Sequence, residues 1–201
     1  MKIVFLLFIS VILLFASTQE ALEAYKLHKY EKAFKLYKEA AQKGDTVAQN
    51  ALSYLYFNGV GTSIDKAKGI KWLTKAANSA DTQACFDLGM MYLSGKNIPK
   101  DFSKAMKYLT VAANQNNREA QYNLALIYYN GDGVKQDVKK AAELLEKAAN
   151  NGHRIAKANV GRVYMQLLDF KKAKYWLRQN VQDGDVKAAT LLKEIEATHK
   201  D

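Results

Sequence analysis

A glycine-rich stretch with acidic residues, NGDGVKQD at 130–137, is the first candidate for chemistry in this chain. Such stretches can bind phosphate through backbone N–H groups, or a divalent cation through carboxylate oxygens. A calcium loop needs six or more oxygen ligands, whereas this stretch offers the carboxylates of Asp132 and Asp137. We therefore expect no metal site here, and the alternative is a loop that joins two helices.

The other residues that could carry catalysis are few and scattered. The three histidines are His28, His153 and His199, and none has a second histidine or a cysteine at metal-ligand spacing. Cys85 is the only cysteine, so an intramolecular disulfide cannot form, and we expect a buried or half-buried, unreactive thiol. No residue is assigned to catalysis, no cofactor is expected, and the sequence favours a protein that is not an enzyme.

The glycine-rich stretch is one of three copies that lie 36 residues apart. NGVGTSID (58–65), SGKNIPKD (94–101) and NGDGVKQD (130–137) each have glycine in second place and aspartate in last place. Upstream of each copy, small, aliphatic and tyrosine side chains recur four residues apart, as at Ala48, Leu52 and Tyr56, which places them on one face of a helix. Downstream, pairs such as Trp72-Leu73 and Ala76-Ala77 predict a second helix.

The closing aspartate of each copy stands where the second helix begins. Asp65, Asp101 and Asp137 are suited to accept hydrogen bonds from the free N–H groups of a first helical turn. The stretch is therefore interpreted as a turn between two helices, with Gly131 and Gly133 in the turn and Asp137 as the cap.

A helix pair of this size cannot bury its apolar faces alone, so neighbouring pairs are predicted to stack. Four units are predicted, at 45–80, 81–116, 117–152 and 153–184, after a divergent helix pair at 19–44 and before a capping helix at 185–201. The segment AQYNLALIYYNGDGVKQDVKKAAELLEKAANNG resembles a Sel-1-like repeat, a tetratricopeptide-related class with a longer loop between its helices. The fourth unit departs from it, since MQLLDFKKA is four residues shorter and lacks the glycines.

The resemblance implies an all-α, right-handed α-solenoid of antiparallel helix pairs that serves as a protein-binding scaffold. In such superhelices the first helix of each pair lines the concave side, where two mainly apolar columns fall. The first column is Tyr54, Met90, Leu126 and Arg162, and the second is Phe57, Leu93, Tyr129 and Met165. Either they pack against adjacent first helices, or they form a groove for an extended peptide or a partner helix.

The N-terminal residues 1–18, MKIVFLLFISVILLFAST, have the layout of a secretory signal peptide: a lysine, an apolar run and then small residues. As a helix the apolar run would span about 20 Å, short of the roughly 30 Å hydrocarbon core of a bilayer. We expect cleavage before Gln19, and retention as an anchor is the alternative. An export signal without disulfides favours a bacterial periplasmic or secreted protein.

The formal net charge of +10 comes largely from lysines on the predicted second helices, such as Lys66, Lys68, Lys71 and Lys75. They form a solvated convex face, or they steer an acidic protein, an anionic membrane surface or a polyanionic glycan. No nucleic-acid motif is present, so neither nucleic acid nor a small-molecule substrate is expected, and membrane contact is expected only through an uncleaved signal.

These features predict an exported, non-enzymatic scaffold that binds another protein or peptide in the concave groove of its repeat array. The alternative is a regulatory or inhibitory subunit of a periplasmic enzyme or of an envelope-stress system.

Overall fold

All regular structure in the computed structural model is helical, and the model describes residues 17–199. The expected signal peptide therefore lies outside the described residues, apart from its last two. The helices are α1 (17–26), α2 (Tyr30–Gln42), α3 (Thr46–Asn58), α4 (Lys66–Asn78), α5 (Thr82–Ser94), α6 (Phe102–Asn114), α7 (Arg118–Asn130), α8 (Val138–Asn150), α9 (Arg154–Gln166), α10 (Phe170–Gln182) and α11 (Val186–Thr198). The prediction of an all-α chain of the solenoid class is confirmed.

The helices group into two compact units that divide between Lys100 and Asp101. Within each unit, helices that follow one another in the chain pack together, and closely packed alanines lie at the contacts. The core of the first unit includes Leu52 and Leu55, and that of the second includes Val160 and Leu177. The predicted alanine pairs of the second helices, such as Ala76-Ala77 and Ala148-Ala149, are buried, because small side chains let neighbouring helices approach closely.

The predicted aspartate caps are present at the second helices. The Oδ1 atoms of Asp65, Asp101 and Asp137 accept hydrogen bonds from backbone N–H groups three residues later, at 2.9, 3.0 and 2.8 Å. Asp169 makes the same contact at 3.1 Å in the shortened fourth repeat. Each aspartate thus satisfies a donor that the helix itself cannot pair.

The glycines of the long loops meet both a backbone and a packing requirement. Gly131 ends α7 at φ +78°, and Gly133 follows at φ +71°, in the left-handed region where glycine is favoured. A Cβ atom on Gly133 would lie 2.5 Å from Cβ of Phe102, and one on Gly61 would lie 2.2 Å from the carbonyl oxygen of Tyr30. The loops therefore pack against the first turn of the preceding second helix, and the interpretation of NGDGVKQD as a turn is confirmed.

One column of polar side chains ties three first helices, α3, α5 and α7, each to the helix before it. Gln49, Cys85 and Gln121 occupy equivalent positions and donate to the carbonyl oxygens of Ala41, Ala77 and Ala113 at 3.2, 3.3 and 3.0 Å. The predicted burial of Cys85 is confirmed. The pKa of its thiol is raised to about 11, mainly by burial and to a smaller extent by the charge of Asp81.

We expect Cys85 to react slowly with iodoacetamide in the folded chain. Because its pKa is raised from 9.0 to about 11, the thiolate fraction at mildly alkaline pH falls roughly 100-fold, and burial slows access further. Alkylation followed by mass spectrometry, with the chain unfolded in urea as the control, measures the ratio of rates. Equal rates in the two states would contradict the burial described here.

Polar side chains of three helices meet where the fourth repeat drops the long loop. Glu146 of α8 accepts hydrogen bonds from Tyr164 Oη of α9 and Lys172 Nζ of α10, both at 2.7 Å, and from Trp176 Nε1 at 3.3 Å. Burial opposes ionisation of Glu146, but these donors outweigh it, and its pKa is lowered. The pKa of the Tyr164 hydroxyl is raised to about 12. Burial is the main cause, Glu146 adds to the rise and Lys172 opposes it.

Candidate protein-binding groove

An open groove of about 430 Å³ lies between α3 and α5 in the first unit. Its lining combines aromatic, thioether and amide side chains with one carboxylate and two lysines. The lining residues are Asn50, Ser53, Tyr54, Phe57 and Asn58 of α3, Lys66 and Leu73 of α4, Asp87 and Met91 of α5, and Lys96 and Asn97 of the following loop.

Gly69 makes room for one of the two aromatic side chains of the groove, that of Phe57. Phe57 is half-buried, and its ring lies over Gly69 of α4, where an added Cβ would come within 3.0 Å of three ring atoms. Tyr54 is 51% exposed, and its hydrogen bond with Tyr25 of α1 raises the pKa of Tyr25. The ring of Phe57 is therefore packed against α4, whereas the ring of Tyr54 is exposed to solvent.

Asp87 is the carboxylate among the described groove residues, and it is half-buried. It accepts a hydrogen bond from Gln83 Nε2 at 2.8 Å. The pKa of Asp87 is raised, and burial is the largest cause. The hydrogen bond from Gln83 lowers this pKa in part, and the charge of Asp81 raises it. Its ionised form is thus poorly compensated, and no cation is within ion-pair distance among residues 17–199.

The structure brings together two of the eight residues predicted for the groove. Tyr54 and Phe57 line it side by side on α3, while Met90 and Leu93 of α5 are half-buried and are not part of its lining. The other four lie in the second unit and are not part of the lining of this groove.

In that second unit the predicted residues have different surroundings. Leu126 is 38% exposed, and Arg162 is exposed and bonds to Asn159 of its own helix. Tyr129 and Met165 are half-buried and pack against the core, and the hydroxyl of Tyr129 donates to Gln166 Oε1 at 3.1 Å. At Tyr129 and Met165 the structure thus favours the packing alternative that the sequence left open.

Sequence reasoning missed Asp87, Asn50 and Met91 in the groove, although one signal was present. Positions equivalent to Asp87 in the other repeats hold Ala51, Asn123 and Asn159, so Asp87 is an acidic exception in a periodic pattern. A search for departures from the repeat, in addition to the repeat itself, would have found it.

A second and larger cleft, of about 770 Å³, lies at the starts of α7 and α9 in the second unit. Several of its charged or ionisable side chains pair with one another: His153 Nε2 lies 3.0 Å from Glu119, and Lys157 pairs with Asp183. His153 Nδ1 also accepts the N–H of Ala156, and its ring stacks on Tyr122 at 4.2 Å. These groups are already satisfied within the fold. Within residues 17–199, no three His, Cys, Asp or Glu side chains are grouped to hold a metal ion.

Helix pairs repeat every 36 residues, consecutive helices pack together within each unit, and a groove lies between the first helices α3 and α5. These features define a helical repeat protein. The family model for the Sel1 repeat matches residues 27–45, 46–81, 82–117, 118–153 and 156–179. The chain belongs to the Sel1 repeat family, as its sequence resemblance predicted.

Two solved structures show the same fold. A Sel1 repeat protein from Oxalobacter formigenes is 28% identical with a TM-score of 0.73, and the match covers 90% of this chain and 74% of that one. The protein c5321, a protective antigen in uropathogenic Escherichia coli strains with an SLR fold, is 26% identical with a TM-score of 0.73. That match covers 85% of this chain but 37% of c5321. A comparison with curated proteins gives no significant match.

Sel1 repeat proteins are typically scaffolds for protein–protein interaction, and their fold is generally not enzymatic. That general role agrees with the lining of the groove between α3 and α5.

Proposed function

We propose that this chain is an exported, non-enzymatic scaffold that binds a segment of another protein in the groove between α3 and α5. The observation that carries the proposal is the pairing of exposed Tyr54 with half-buried Phe57 and Met91 in one open groove. Aromatic and methionine side chains are enriched at protein interfaces. Aromatic rings offer large contact areas at low cost in conformational entropy, and the flexible thioether of methionine adapts to irregular surfaces.

The dimensions of the groove suit an extended segment. Its lining on α3 runs from Asn50 to Asn58, which corresponds to about 12 Å along the helix. An extended chain covers that length with about four residues. The amide side chains of Asn50, Asn58 and Asn97 offer donors and acceptors to the backbone of such a segment.

We expect the double variant Tyr54→Ser/Phe57→Ser to lose partner binding by about 30-fold or more, since buried aromatic anchors each contribute about 1–2 kcal/mol or more. A photo-reactive amino acid at Asn58 captures the partner, and affinity for the captured partner is then measured by calorimetry.

The matched control is Tyr175→Ser, since Tyr175 is also an exposed aromatic (55%) but lies on α10 of the second unit and does not line the groove. Circular dichroism verifies that both variants keep their helix content. Unchanged affinity of the double variant would show that the groove is not the binding surface.

The export part of the proposal is supported by the lysine, apolar run and small residues of 1–18. Among the described residues, no helix has the length and apolar content to cross a membrane. The Oγ1 of Thr18 donates to Asp45 Oδ2 at 2.8 Å, so cleavage before Gln19 would remove this contact and leave the cap of α3 on Asp45 Oδ1 intact.

We expect N-terminal sequencing of the chain from a periplasmic or culture-medium fraction to begin near Gln19. A bacterial host that expresses the full chain supplies the material, and a variant with Leu6, Leu7 and Leu13 replaced by Asp is the control that stays in the cytoplasm. Intact Met1 in the exported fraction would contradict cleavage and favour the anchored alternative.

A further inference from the structure

Asp87 is the one carboxylate among the described residues that line the groove between α3 and α5. Burial raises the pKa of Asp87, and the negative charge of Asp81 raises it further. The carboxylate is half-buried, and the one contact described for it is the side-chain amide of Gln83. A buried charge that has lost part of its hydration is stabilised by an opposite charge, and within residues 17–199 no cationic side chain forms an ion pair with Asp87.

The surroundings of this carboxylate suit the long side chain of a basic residue. Arginine and lysine carry an apolar stem that packs on apolar surface and a cation at the tip. Tyr54, Phe57 and Met91 line the same groove, and an arginine cation also stacks favourably on an exposed tyrosine ring. The groove therefore offers apolar surface for the stem together with a carboxylate for the cation.

We propose that Asp87 selects a partner segment with an arginine or lysine, whose cation pairs with the Asp87 carboxylate while its stem packs against the apolar lining. This inference rests on the proposed function, because it names the chemistry of the segment bound in that groove. Lys66 and Lys96 line the groove as well and are exposed, and they repel a run of basic residues. The segment therefore carries an isolated basic residue rather than a basic cluster.

The repeat pattern provides an independent reason to assign this role to Asp87. Equivalent positions hold alanine or asparagine in the other repeats, at Ala51, Asn123 and Asn159, so helix formation and packing do not require an acid here. Because the folded state raises the pKa of Asp87, its ionised form does not stabilise the free chain. An asparagine at this position is thus expected to leave the melting temperature unchanged or to raise it.

The test uses a random seven-residue peptide library displayed on phage. The library is selected in parallel on the full chain, on Asp87→Asn and on Tyr54→Ser/Phe57→Ser. We expect the full chain to enrich peptides with one arginine or lysine, and Asp87→Asn to lose that enrichment. The best peptide should bind Asp87→Asn about 10-fold more weakly, as for a half-buried ion pair. Glu194→Gln, an exposed acid on α11, is the matched control for net charge and should keep the affinity.

The outcomes separate this inference from the proposed function. Peptides that require Tyr54 and Phe57 but show no basic enrichment, or that bind Asp87→Asn equally well, overturn the role of Asp87 and leave the groove as the binding site. Failure to select any peptide that depends on Tyr54 and Phe57 overturns the proposed function, and the role of Asp87 with it. A fall in the melting temperature of Asp87→Asn would contradict the view that this carboxylate is free of a structural role.

Discussion

Gly61→Ala is expected to lower the free energy of unfolding by about 3 kcal/mol or more. Its φ of +67° is costly for any residue with a Cβ, by about 1–2 kcal/mol, and the added atom would lie 2.2 Å from the carbonyl oxygen of Tyr30. That oxygen belongs to the backbone of α2, so the overlap can be relieved only by moving the loop away from the helix. Urea denaturation followed by circular dichroism measures the loss.

Gly44→Ala is the matched control for Gly61→Ala. Gly44 also has a positive φ, of +101°, but an added Cβ would meet nothing within 4 Å. The control therefore carries the backbone cost without the overlap, and the difference between the two variants isolates the packing of the loop on α2. Equal losses in the two variants would show that the loop does not depend on this close approach.

Glu146→Ala is expected to cost about 2–3 kcal/mol, because hydrogen bonds to a charged group contribute about 1.5–3 kcal/mol and the buried donors lose their acceptor. The hydroxyl of Tyr164, a residue that is 4% exposed, and the indole N–H of Trp176 would be left without it. Glu143→Ala on the same helix is the control, since Glu143 is exposed. Similar losses in the two variants would contradict the role of the cluster.

The contribution of Glu146 should also depend on pH. A carboxylate whose folded pKa is lowered stabilises the fold above its unfolded pKa, and that contribution is lost as the pH falls through the folded value. The stability difference between the native chain and Glu146→Gln should therefore be constant near neutral pH and shrink below the ordinary glutamate pKa of 4.5. A difference that grows as the pH falls through this range would contradict the direction of the shift.

Much of the architecture was predictable because the information for it is local. The repeated aspartates predict where the second helices begin, since a cap accepts hydrogen bonds from N–H groups two or three residues away. Gly131 and Gly133 predict the turn, since a positive φ is a property of a single residue and glycine adopts it readily. Asn97 stands where two of the loops have a glycine and adopts φ +67°, a conformation that asparagine tolerates better than most residues.

The groove was only partly predictable, because burial depends on side chains that are distant in sequence. Phe57 and Tyr129 are equivalent in the repeat, but Phe57 lines an open groove, whereas Tyr129 packs against the core of the second unit and bonds to Gln166. The period assigns both to the same helical face and cannot tell them apart. Their different surroundings come from neighbouring side chains that do not repeat.

The sequence by itself determined the helix–loop–helix period, the caps, the turn glycines and the family, since each depends on residue types at short, regular spacings. Only the tertiary structure decided which side chains meet. It placed Asp87, an exception to the repeat, in a groove, and it placed Glu146 in a cluster of buried donors. The reason is physical: hydration, charge pairing and burial are set by the groups that surround a side chain, and those come from several helices at once.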